Sequence, residues 1–427
     1  MKILVVGSGG REHALLRKLK ESPQKPVLFA APGNGGIAAD ATCVSIAAND
    51  VENMVAFAVQ EKMDYVVVAP DDPLVLGMVD ALAAQGIPAF GPDKAAAILE
   101  GSKVFSKNLM KKYGIPTAQY ETFDCVEKAV RFLKVNNTYP VVIKADGLAL
   151  GKGVLICEDE CAALTAVKSI LADKKFGASG NRIVVEEFLT GPEVSVLSFT
   201  DGKTVVPMIS SMDHKRAGDG DTGLNTGGMG TIAPNPYYTK EIAAVCMETI
   251  FKPTIAAMNA EHRSFKGCLY FGLILTAQGP KVIEYNCRFG DPETQVVLPL
   301  LESDLLAIMQ ACTNGMLTPE MVRFSDKSAA CVVLASGGYP QSYETGKPIT
   351  GLTNGQIPAS GVMVYHAGTR LDGDVLVTSG GRVLGVTSVE DNLLSAIKAA
   401  YAAAENIAFA GAHKRTDIGQ KALQAKA

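Results

Sequence analysis

The sequence predicts an α/β protein that begins with a doubly wound parallel sheet and continues, with α+β character in parts, into two further domains. Short apolar runs alternate with helical patterns through the first hundred residues. A glycine-rich turn follows the first apolar run, and ligands bind at the carboxyl ends of strands in such sheets. A chain of 427 residues is also long enough for two to four domains, each with its own core.

The N-terminal domain is predicted to span residues 1–102. Its strands are predicted at Ile3–Val6, Val27–Ala30, Tyr65–Ala69 and Ala89–Gly91. Helices are predicted between and after them, at about residues 12–20, 50–62, 74–85 and 93–100. Strands that alternate with helices in this way predict parallel pairing.

A central domain is predicted over residues 103–312 and a C-terminal α/β domain over 328–427. The central domain begins with a helix at 102–112, followed by strands at 140–145, 154–157, 182–188 and 193–199 and a helix at 159–172. We expect residues 122–190 to form a mobile lid. In the last domain, strands are predicted at 330–335, 361–366 and 383–387, and a helix at 390–404.

Composition excludes several classes of function. A formal net charge of -4 offers no electrostatic surface for nucleic acid or an anionic membrane. No apolar stretch approaches the length of a membrane span, and Met1-Lys2 leads directly into a strand, so neither a membrane anchor nor a secretory signal is expected. The nine scattered cysteines contain no Cys-x-x-Cys pair. They indicate reduced thiols in a cytoplasmic protein.

The most informative segment is Val282 to Gln295. Glu284 and Asn286 are two positions apart in an extended run, so their side chains are predicted to point to the same face of a strand. A carboxylate and an amide oxygen suit Mg²⁺ bridging nucleotide phosphates. Arg288, one further step along, offers a guanidinium to a carboxylate or phosphate. The alternative is an edge strand with solvated polar residues.

Two glycine-rich turns are candidate phosphate sites. Lys144 ends a predicted buried strand and precedes a glycine-rich loop at 147–153, which is not a Walker A loop because Gly153 replaces the Ser or Thr. The alternative is an ordinary hairpin with a solvated lysine. The turn Gly7-Ser8-Gly9-Gly10 fails the dinucleotide fingerprint because Glu12 replaces the third glycine. A nicotinamide cofactor is therefore not expected, although such a turn can hold one phosphate.

Two further segments carry polar residues. The strand at 182–188 contains Glu186 and precedes Glu193; such a strand edge can bind adenine, although paired glutamates are more often surface charge. The segment 213–230 mixes glycine with both charge signs and cannot form a packed element. It is interpreted as a loop that closes over an anionic substrate or, alternatively, as a flexible linker. His214 alone is weak support for a site, because a lone histidine is more often structural.

Taken together, these motifs resemble the phosphoribosylamine–glycine ligase family of the ATP-grasp superfamily. The resemblance is carried by residues 7–14, 31–34, 142–149, 213–223, 225–230 and 286–295, and it extends to residues 366–369, 380–384 and 417–419. It covers essentially the whole chain. One departure is Asp71-Asp72, where the family has a glutamate, which makes any contact assigned to that group less certain.

The resemblance implies roles for the nucleotide side of a site. ATP would be bound by Lys103, Lys144, Gly151, Lys152, Gly153, Glu186, Phe188 and Glu193. The metal, Mg²⁺ or Mn²⁺, would be held by Glu284 and Asn286. The catalytic residues would be Arg288, Lys144 and Asp213.

The resemblance also implies an acceptor side. Its residues would be Gly9, Gly10, Lys215, Arg216, Thr226, Gly227, Gly228, Met229, Gly290, Asp291, Pro292 and Glu293. In this interpretation the phosphate of phosphoribosylamine meets Gly9-Gly10, and Lys215-Arg216 closes from the other side.

The implied reaction joins glycine to 5-phosphoribosylamine at the expense of ATP, through glycyl phosphate, in purine biosynthesis. Phosphoryl transfer needs positioning and charge neutralisation rather than a covalent nucleophile, and no nucleophilic triad is evident. The expected partners are these small molecules, without nucleic acid or membrane, and the expected state is a monomer. The alternatives are another ATP-grasp ligase, such as a bicarbonate-dependent carboxylase, and a non-catalytic nucleotide-binding protein.

Overall fold

The computed structural model describes residues 1–148, 153–358 and 361–425. Its N-terminal sheet has five parallel strands, in the spatial order Thr42–Cys43, Val27–Pro32, Lys2–Gly7, Tyr65–Val68 and Ala89–Phe90. The central strand is apolar along its length because helices cover both faces of the sheet. The predicted doubly wound sheet is therefore confirmed, with one short strand at 42–43 that was not predicted.

The helices of this region are Gly10–Lys20, Val51–Gln60, Asp71–Leu76, Met78–Ala84 and Lys94–Gly101, with a 3₁₀ turn at Ile37–Ala39. The single helix predicted at 74–85 is wrong, because two helices meet there. Gly77 separates them with φ of 94°, a left-handed conformation that interrupts a helix and favours glycine.

A second sheet is separate and lies within residues 120–187. Its four strands have the order Tyr120–Phe123, Ile183–Glu187, Val141–Ala145 and Val154–Cys157, all antiparallel. Helices Val126–Asn136 and Glu160–Val167 cover it, the latter extended by a π-helical turn at Lys168–Ala172, and a 3₁₀ turn lies at Gly177–Gly180. Residues such as Leu133, Ile143 and Ile183 form a core belonging to this sheet alone.

A four-stranded antiparallel sheet forms the centre of the molecule. Its order is Val205–Pro207, Glu193–Asp201, Lys266–Thr276 and Gly279–Asn286. Its helices are Lys103–Tyr113, Lys240–Cys246, Lys252–Ala260, Thr294–Leu300 and Leu305–Asn314, with a π-helical turn at Met247–Phe251 and a 3₁₀ turn at Pro319–Met321. The long strand Lys266–Thr276 was not predicted, although it pairs with two neighbours and is almost entirely buried.

The C-terminal sheet combines strands from both halves of the chain. Its order is Met212–Asp213, Gly230–Ala233, Ser328–Ser336, Arg382–Glu390 and Met363–His366, and Ala412–His413 also pairs with Ser328–Ser336. Helix Leu393–Ala404 packs on it, and Gln420–Leu423 forms a last helical turn. Because the first two strands precede residue 312, the domain limits at 102, 312 and 328 stay predictions.

Two short β-ribbons project from this part of the molecule. They are formed by Arg216–Gly218 with Thr222–Asn225, joined by a turn at Asp219–Asp221, and by Thr369–Asp372 with Val375–Thr378. In the described parts of the chain, no helix has both the length and the apolar character required to cross a bilayer.

Candidate active site

The strand Gly279–Asn286 places Glu284 and Asn286 on the same side, as predicted. It pairs with Lys266–Thr276, so that Glu284 lies opposite Gly272 and Asn286 opposite Tyr270. The intervening Tyr285 is buried in the opposite core. Cys287 is buried there too, so its side chain packs in the same core. The two oxygen-bearing side chains therefore face a cleft, with apolar residues behind them.

Lys215 connects two carboxylates in this cleft. Its Nζ lies 3.2 Å from Glu193 Oε2 and 3.7 Å from Glu284 Oε1. Glu193 raises the pKa of Lys215 well above its usual value. Burial raises the pKa of Glu284, but Lys215, Lys144 and Lys103 outweigh it, so that the net shift is downward. Glu284 is consequently a carboxylate surrounded by cations at neutral pH.

Glu186 is buried between two lysines. Its Oε1 lies 3.0 Å from Lys144 Nζ and its Oε2 lies 3.0 Å from Lys107 Nζ. Lys144 also donates to the carbonyl of Ile283, one residue before Glu284, at 3.1 Å. Burial lowers the pKa of Lys107 to about 8, against the opposing effect of Glu186. Lys107 was not predicted as a site residue.

Lys103 lies beside the glycine-rich loop. Its Nζ donates to the carbonyl of Gly147 at 3.2 Å, and burial lowers its pKa. Asp146 joins the start of this helix to the loop, because its Oδ1 accepts from Ser102 Oγ at 2.8 Å and from the amide of Val104 at 2.9 Å. Gly151 and Lys152 lie outside the described residues, and the carbonyl of Gly153 accepts from the amide of Ala145 at 2.9 Å.

Phe188 immediately follows the strand that bears Glu186, and its large apolar side chain is 39% exposed. An exposed aromatic face near a lysine pair is a suitable surface for a nucleobase. The strand Ile183–Glu187 therefore carries a buried charge at Glu186, and an exposed ring follows directly after its end.

Arg288 is surrounded by acceptors from three parts of the chain. Its Nη2 lies 3.1 Å from Glu100 Oε1, 3.3 Å from Asn286 Oδ1 and 3.8 Å from Asp71 Oδ2. The Nε atom is buried and has no hydrogen-bond partner within the described ranges. Burial raises the pKa of Glu100 to about 7, which Arg288 opposes. The shortened acidic group at 71–72 therefore still reaches this arginine, and Glu100, which was not predicted, lies closer.

The half-buried Asp213 and the buried Glu293 form an acidic pair near the start of the C-terminal sheet. Asp213 Oδ1 accepts from the amide of His214 at 2.7 Å, and Glu293 Oε1 accepts from Ser195 Oγ at 3.3 Å. Burial and the charge of Glu293 raise the pKa of Asp213 well above its usual range. A carboxylate with a raised pKa is a stronger proton acceptor than a solvated one.

Glycines allow backbone to approach this acidic pair. A Cβ on Gly228, whose φ is 115°, would lie 2.6 Å from Asp213 Oδ1 and 2.4 Å from Pro292 Cδ. A Cβ on Gly290 would lie 2.3 Å from Glu293 Oε2. The segments 226–229 and 290–293 therefore lie close together. The side chain of Met229, however, is fully buried.

Gly9 lines a cavity of about 340 Å³ between the N-terminal and C-terminal regions. Its other lining residues include Ser8, Asn34, Asp291, Gly368 and Arg382. The Gly9 amide donates to Glu12 Oε2 at 2.5 Å, so Glu12 caps its own helix where a dinucleotide-binding protein has glycine. Beside it, a Cβ on Gly10 would lie 2.5 Å from Gln295 Nε2.

Arg382, rather than Lys215 or Arg216, is the cation that lines this cavity in the described structure. Its Nη1 donates to the carbonyls of Gly227 at 2.7 Å and Asp291 at 2.6 Å, and its Nη2 lies 3.3 Å from Asp291 Oδ2. Lys215 points to Glu193 and Glu284 instead. Arg216 donates to the carbonyl of Gly223 within its own ribbon. The structure therefore does not bring Lys215-Arg216 to Gly9.

Three family models match consecutive parts of the chain. They are the N domain of phosphoribosylglycinamide synthetase at residues 1–100, its ATP-grasp (A) domain at 101–294 and its C domain at 329–421. The chain belongs to the phosphoribosylglycinamide synthetase family. The resemblance of the sequence motifs to this family is thereby confirmed.

Relatives in this family align over nearly the full length. The phosphoribosylamine–glycine ligase of Rhodopirellula baltica is 49% identical over 428 residues, covering 99% of this chain and 98% of that protein. The ligase of Allochromatium vinosum is 47% identical, with 99% of each chain covered. The crystal structure of the Thermotoga maritima ligase is 33% identical and superposes with a TM-score of 0.86, covering 98% and 100% of the two chains.

More distant structures share the fold alone. Biotin carboxylase from Campylobacter jejuni, solved as a β,γ-ATP complex, superposes with a TM-score of 0.75 at 15% identity, covering 97% of this chain and 92% of that one. The synthetase family therefore uses an architecture that also occurs in carboxylases.

Sequence reasoning missed three charged residues of this synthetase-family site: Lys107, Glu100 and Arg382. Arg382 had a usable signal, because residues 380–384 belong to the motifs that carry the family resemblance. Lys107 and Glu100 lie on helices, where a charged residue ordinarily indicates a solvated face. Their partners, Glu186 and Arg288, are 79 and 188 positions away in the sequence, so only the fold identifies the pairing.

Proposed function

We propose that this chain ligates glycine to 5-phosphoribosylamine, forming glycinamide ribonucleotide, ADP and phosphate. The observation that carries the proposal is one cleft in which Glu284 and Asn286 face Lys144, Lys215 and Arg288, in a chain that matches the family along its length. Phosphoryl transfer to a carboxylate requires this combination of oxygen ligands and fixed cations. The reaction belongs to purine biosynthesis, and the proposed location is the cytoplasm.

The proposed path has two steps. A carboxylate oxygen of glycine attacks the γ-phosphorus of ATP, and the bond from that phosphorus to the bridging oxygen of ADP breaks, which yields glycyl phosphate. The amine of phosphoribosylamine then attacks the carbonyl carbon. The amide bond forms, phosphate leaves with one former carboxylate oxygen, and the amine loses a proton.

Cations around the cleft support the first step. In the proposed complex, Lys103 and Lys144 hold the ATP phosphates and Phe188 contacts the base. Arg288 is proposed to stabilise the phosphoryl group as it moves, and this is supported by its Nε, which has no hydrogen-bond partner in the described residues. Glu193 is partly exposed and is proposed to accept from the ribose hydroxyls.

The oxygen ligands fit a divalent metal. Among the residues that the structure describes, no group of three or more His, Cys, Asp or Glu side chains could hold a metal ion. Mg²⁺ is commonly bound by one or two carboxylates together with substrate phosphates, and Mn²⁺ accepts the same oxygen donors. Glu284 and Asn286 would hold the ion, which supplies charge neutralisation to the phosphates when bound.

The acidic pair supports the second step. We assign proton removal from the attacking amine to Asp213, because burial and the negative charge of Glu293 raise its pKa, which favours accepting a proton. The cavity beside Gly9 suits the phosphate of phosphoribosylamine, because Arg382 lines it together with small residues such as Ser8, Gly9 and Gly368. Glycines at 227, 228 and 290 allow Arg382, Asp213 and Glu293 to pack directly against the backbone between the pair and this cavity.

Oxygen-18 labelling tests this path. The protein is incubated with Mg-ATP, ¹⁸O-carboxyl glycine and phosphoribosylamine, and the released phosphate and amide are analysed by mass spectrometry. Label in phosphate is expected, together with ADP release that depends on both glycine and the amine. Label confined to the amide product would reject the acyl phosphate. ADP release with bicarbonate in place of glycine would instead support the carboxylase alternative.

A further inference from the structure

The C-terminal segment, residues 413–421, is bound to the ribbon at 216–225 by buried charge. Arg415 is 1% exposed, although it is one of the largest side chains in the protein. Its Nη1 donates to Asp221 Oδ1 at 2.8 Å and to the carbonyl of Arg216 at 3.1 Å. Its Nε and Nη2 donate to the two oxygens of Asp417 at 2.7 and 2.8 Å. A guanidinium satisfied by four bonds holds a fixed geometry.

Further contacts join the same two segments. The amide of Thr416 donates to Asp219 Oδ1 at 2.8 Å, and the amide of Gly220 donates to Asp417 Oδ2 at 2.8 Å. At the base of the ribbon, the amide of Gly419 donates to His214 Nε2 at 3.0 Å. His214 is buried and its pKa is lowered to about 4 by that burial, so the ring is neutral and can accept this bond. The histidine is therefore structural.

Lys215 lies between these contacts. Its own carbonyl accepts from Thr226 N at 2.7 Å and Thr226 Oγ1 at 2.8 Å, while the next carbonyl, of Arg216, accepts from Arg415. Two consecutive carbonyls are thus held. Thr226 binds that of Lys215, and Arg415 of the C-terminal segment binds that of Arg216. Between them, the side chain of Lys215 extends to Glu193 and Glu284.

Charge makes the ribbon dependent on Arg415. Asp221 and Asp417 both have lowered pKa values, because hydrogen bonds and charge from Arg415 or Lys421 outweigh the effect of burial. Without Arg415 these carboxylates would repel each other in a partly desolvated site. The ribbon would then separate from the C-terminal segment, and the peptide after Lys215 would lose its restraint.

We propose that Arg415 is a positioning residue for Lys215 in the ligase reaction. It holds the lysine between Glu193 and Glu284 without itself touching nucleotide or metal. The inference rests on the proposed function in one respect, because it takes Glu193, Lys215 and Glu284 to be part of the ATP site.

A double-mutant cycle tests this coupling. The variants are Lys215→Ala, Arg415→Met and the double variant. Arg131→Met, at an exposed arginine on the helix Val126–Asn136, is a matched control. Arg415→Met is expected to raise the KM for ATP about 5- to 10-fold in the native background and less than about 2-fold in the Lys215→Ala background, because residues that act through one another are non-additive. Arg415→Lys should restore part of the loss.

The outcomes separate the two hypotheses. Equal effects of Arg415→Met in both backgrounds, or no effect in either, would overturn the positioning role. Native kinetics in Lys215→Ala alone would show instead that the ATP-site assignment of Lys215 is wrong. Trypsin adds a structural measure, because cleavage after Lys215 or Arg216 should accelerate in Arg415→Met. If that variant does not fold, Asp221→Asn, which weakens the ion pair with Arg415 from the ribbon side, replaces it in the cycle.

Discussion

The carboxylate of Glu186 lies 3.0 Å from Nζ of Lys144, with both side chains buried. The second oxygen of Glu186 contacts Lys107, so three buried residues share one net positive charge. Lys144 is therefore not an isolated cation held for ATP. Its ammonium group is held by the ion pair with Glu186. The same carboxylate binds Lys107, so the three residues connect the helix Lys103–Tyr113 to the lid sheet.

Replacing Glu186 should destabilise the protein strongly. Glu186→Gln leaves two buried lysines without a counter-charge, and breaking a buried ion pair on one side costs about 3–5 kcal/mol. Urea unfolding measures the change. Glu187→Gln is the control, because its partner Lys281 is at the surface and such pairs contribute about 0–1 kcal/mol. Similar losses for the two variants would contradict the buried-network interpretation.

Glu100 should make stability depend on pH in a defined direction. Its pKa is raised from the usual 4.5 to about 7 by burial, so the folded protein holds this proton more tightly than the unfolded chain does. The stabilisation that the folded protein gains from this tighter proton binding is fully present below pH 4.5 and is lost as the pH rises to 7. Between pH 5 and 7.5, the free energy of unfolding of Glu100→Gln should therefore rise by about 2 kcal/mol relative to that of the native protein.

Paired urea titrations at those two pH values measure this gain. The control is Glu121→Gln, which removes an exposed carboxylate from the strand Tyr120–Phe123. Asp93→Asn is not suitable as a control, because Asp93 caps a helix. A stability difference between Glu100→Gln and the native protein that does not change with pH would mean that Glu100 titrates normally.

Glu284 should control the use of metal. Glu284→Gln keeps the shape of the side chain and removes its charge, so turnover should fall about 10²- to 10³-fold, the loss typical of one preorganised electrostatic contact. Half-saturation by Mg²⁺ should also move to higher concentration. Steady-state rates across a magnesium titration measure both, with Glu302→Gln at the surface as control. An unchanged magnesium midpoint would reject Glu284 as a ligand.

The lid should move when nucleotide binds. Residues 122–190 include a sheet and core separate from the rest of the protein, which is the arrangement expected of a body that rotates as a unit. Hydrogen exchange should slow in the 147–153 loop on addition of Mg-ADP. Exchange in the N-terminal sheet serves as the internal control. Identical exchange with and without nucleotide would count against the closing motion.

Local patterns predicted the features that are decided locally. Apolar runs of four or five residues located the N-terminal strands, and the two-residue repeat placed Glu284 and Asn286 together. The same method missed Lys266–Thr276, because a strand buried on both faces has no alternating pattern and resembles a buried helix. It also predicted one helix at 74–85, where the left-handed Gly77 divides two.

Pairings across long sequence separations could not be predicted in this way. The segment 213–230 was interpreted as a closing loop or a linker because its composition excludes a packed core element. In the structure, residues 216–225 form a ribbon, and Arg415, about 200 positions later, donates to the carbonyl of Arg216. The assignment of phosphate to Lys215-Arg216 near Gly9 stays a prediction, and the structure offers Arg382 at that cavity.

The composite C-terminal sheet has a consequence for synthesis on the ribosome. The strand Gly230–Ala233 is fully buried, and its partner Ser328–Ser336 emerges about 100 residues later. At translation rates of about 5–20 residues per second, the earlier strand waits roughly 5–20 s for its neighbour. During that interval its apolar side chains and open hydrogen-bonding edge are available to other nascent chains. The C-terminal sheet can therefore be completed only late in synthesis, although two of its strands are made well before the others.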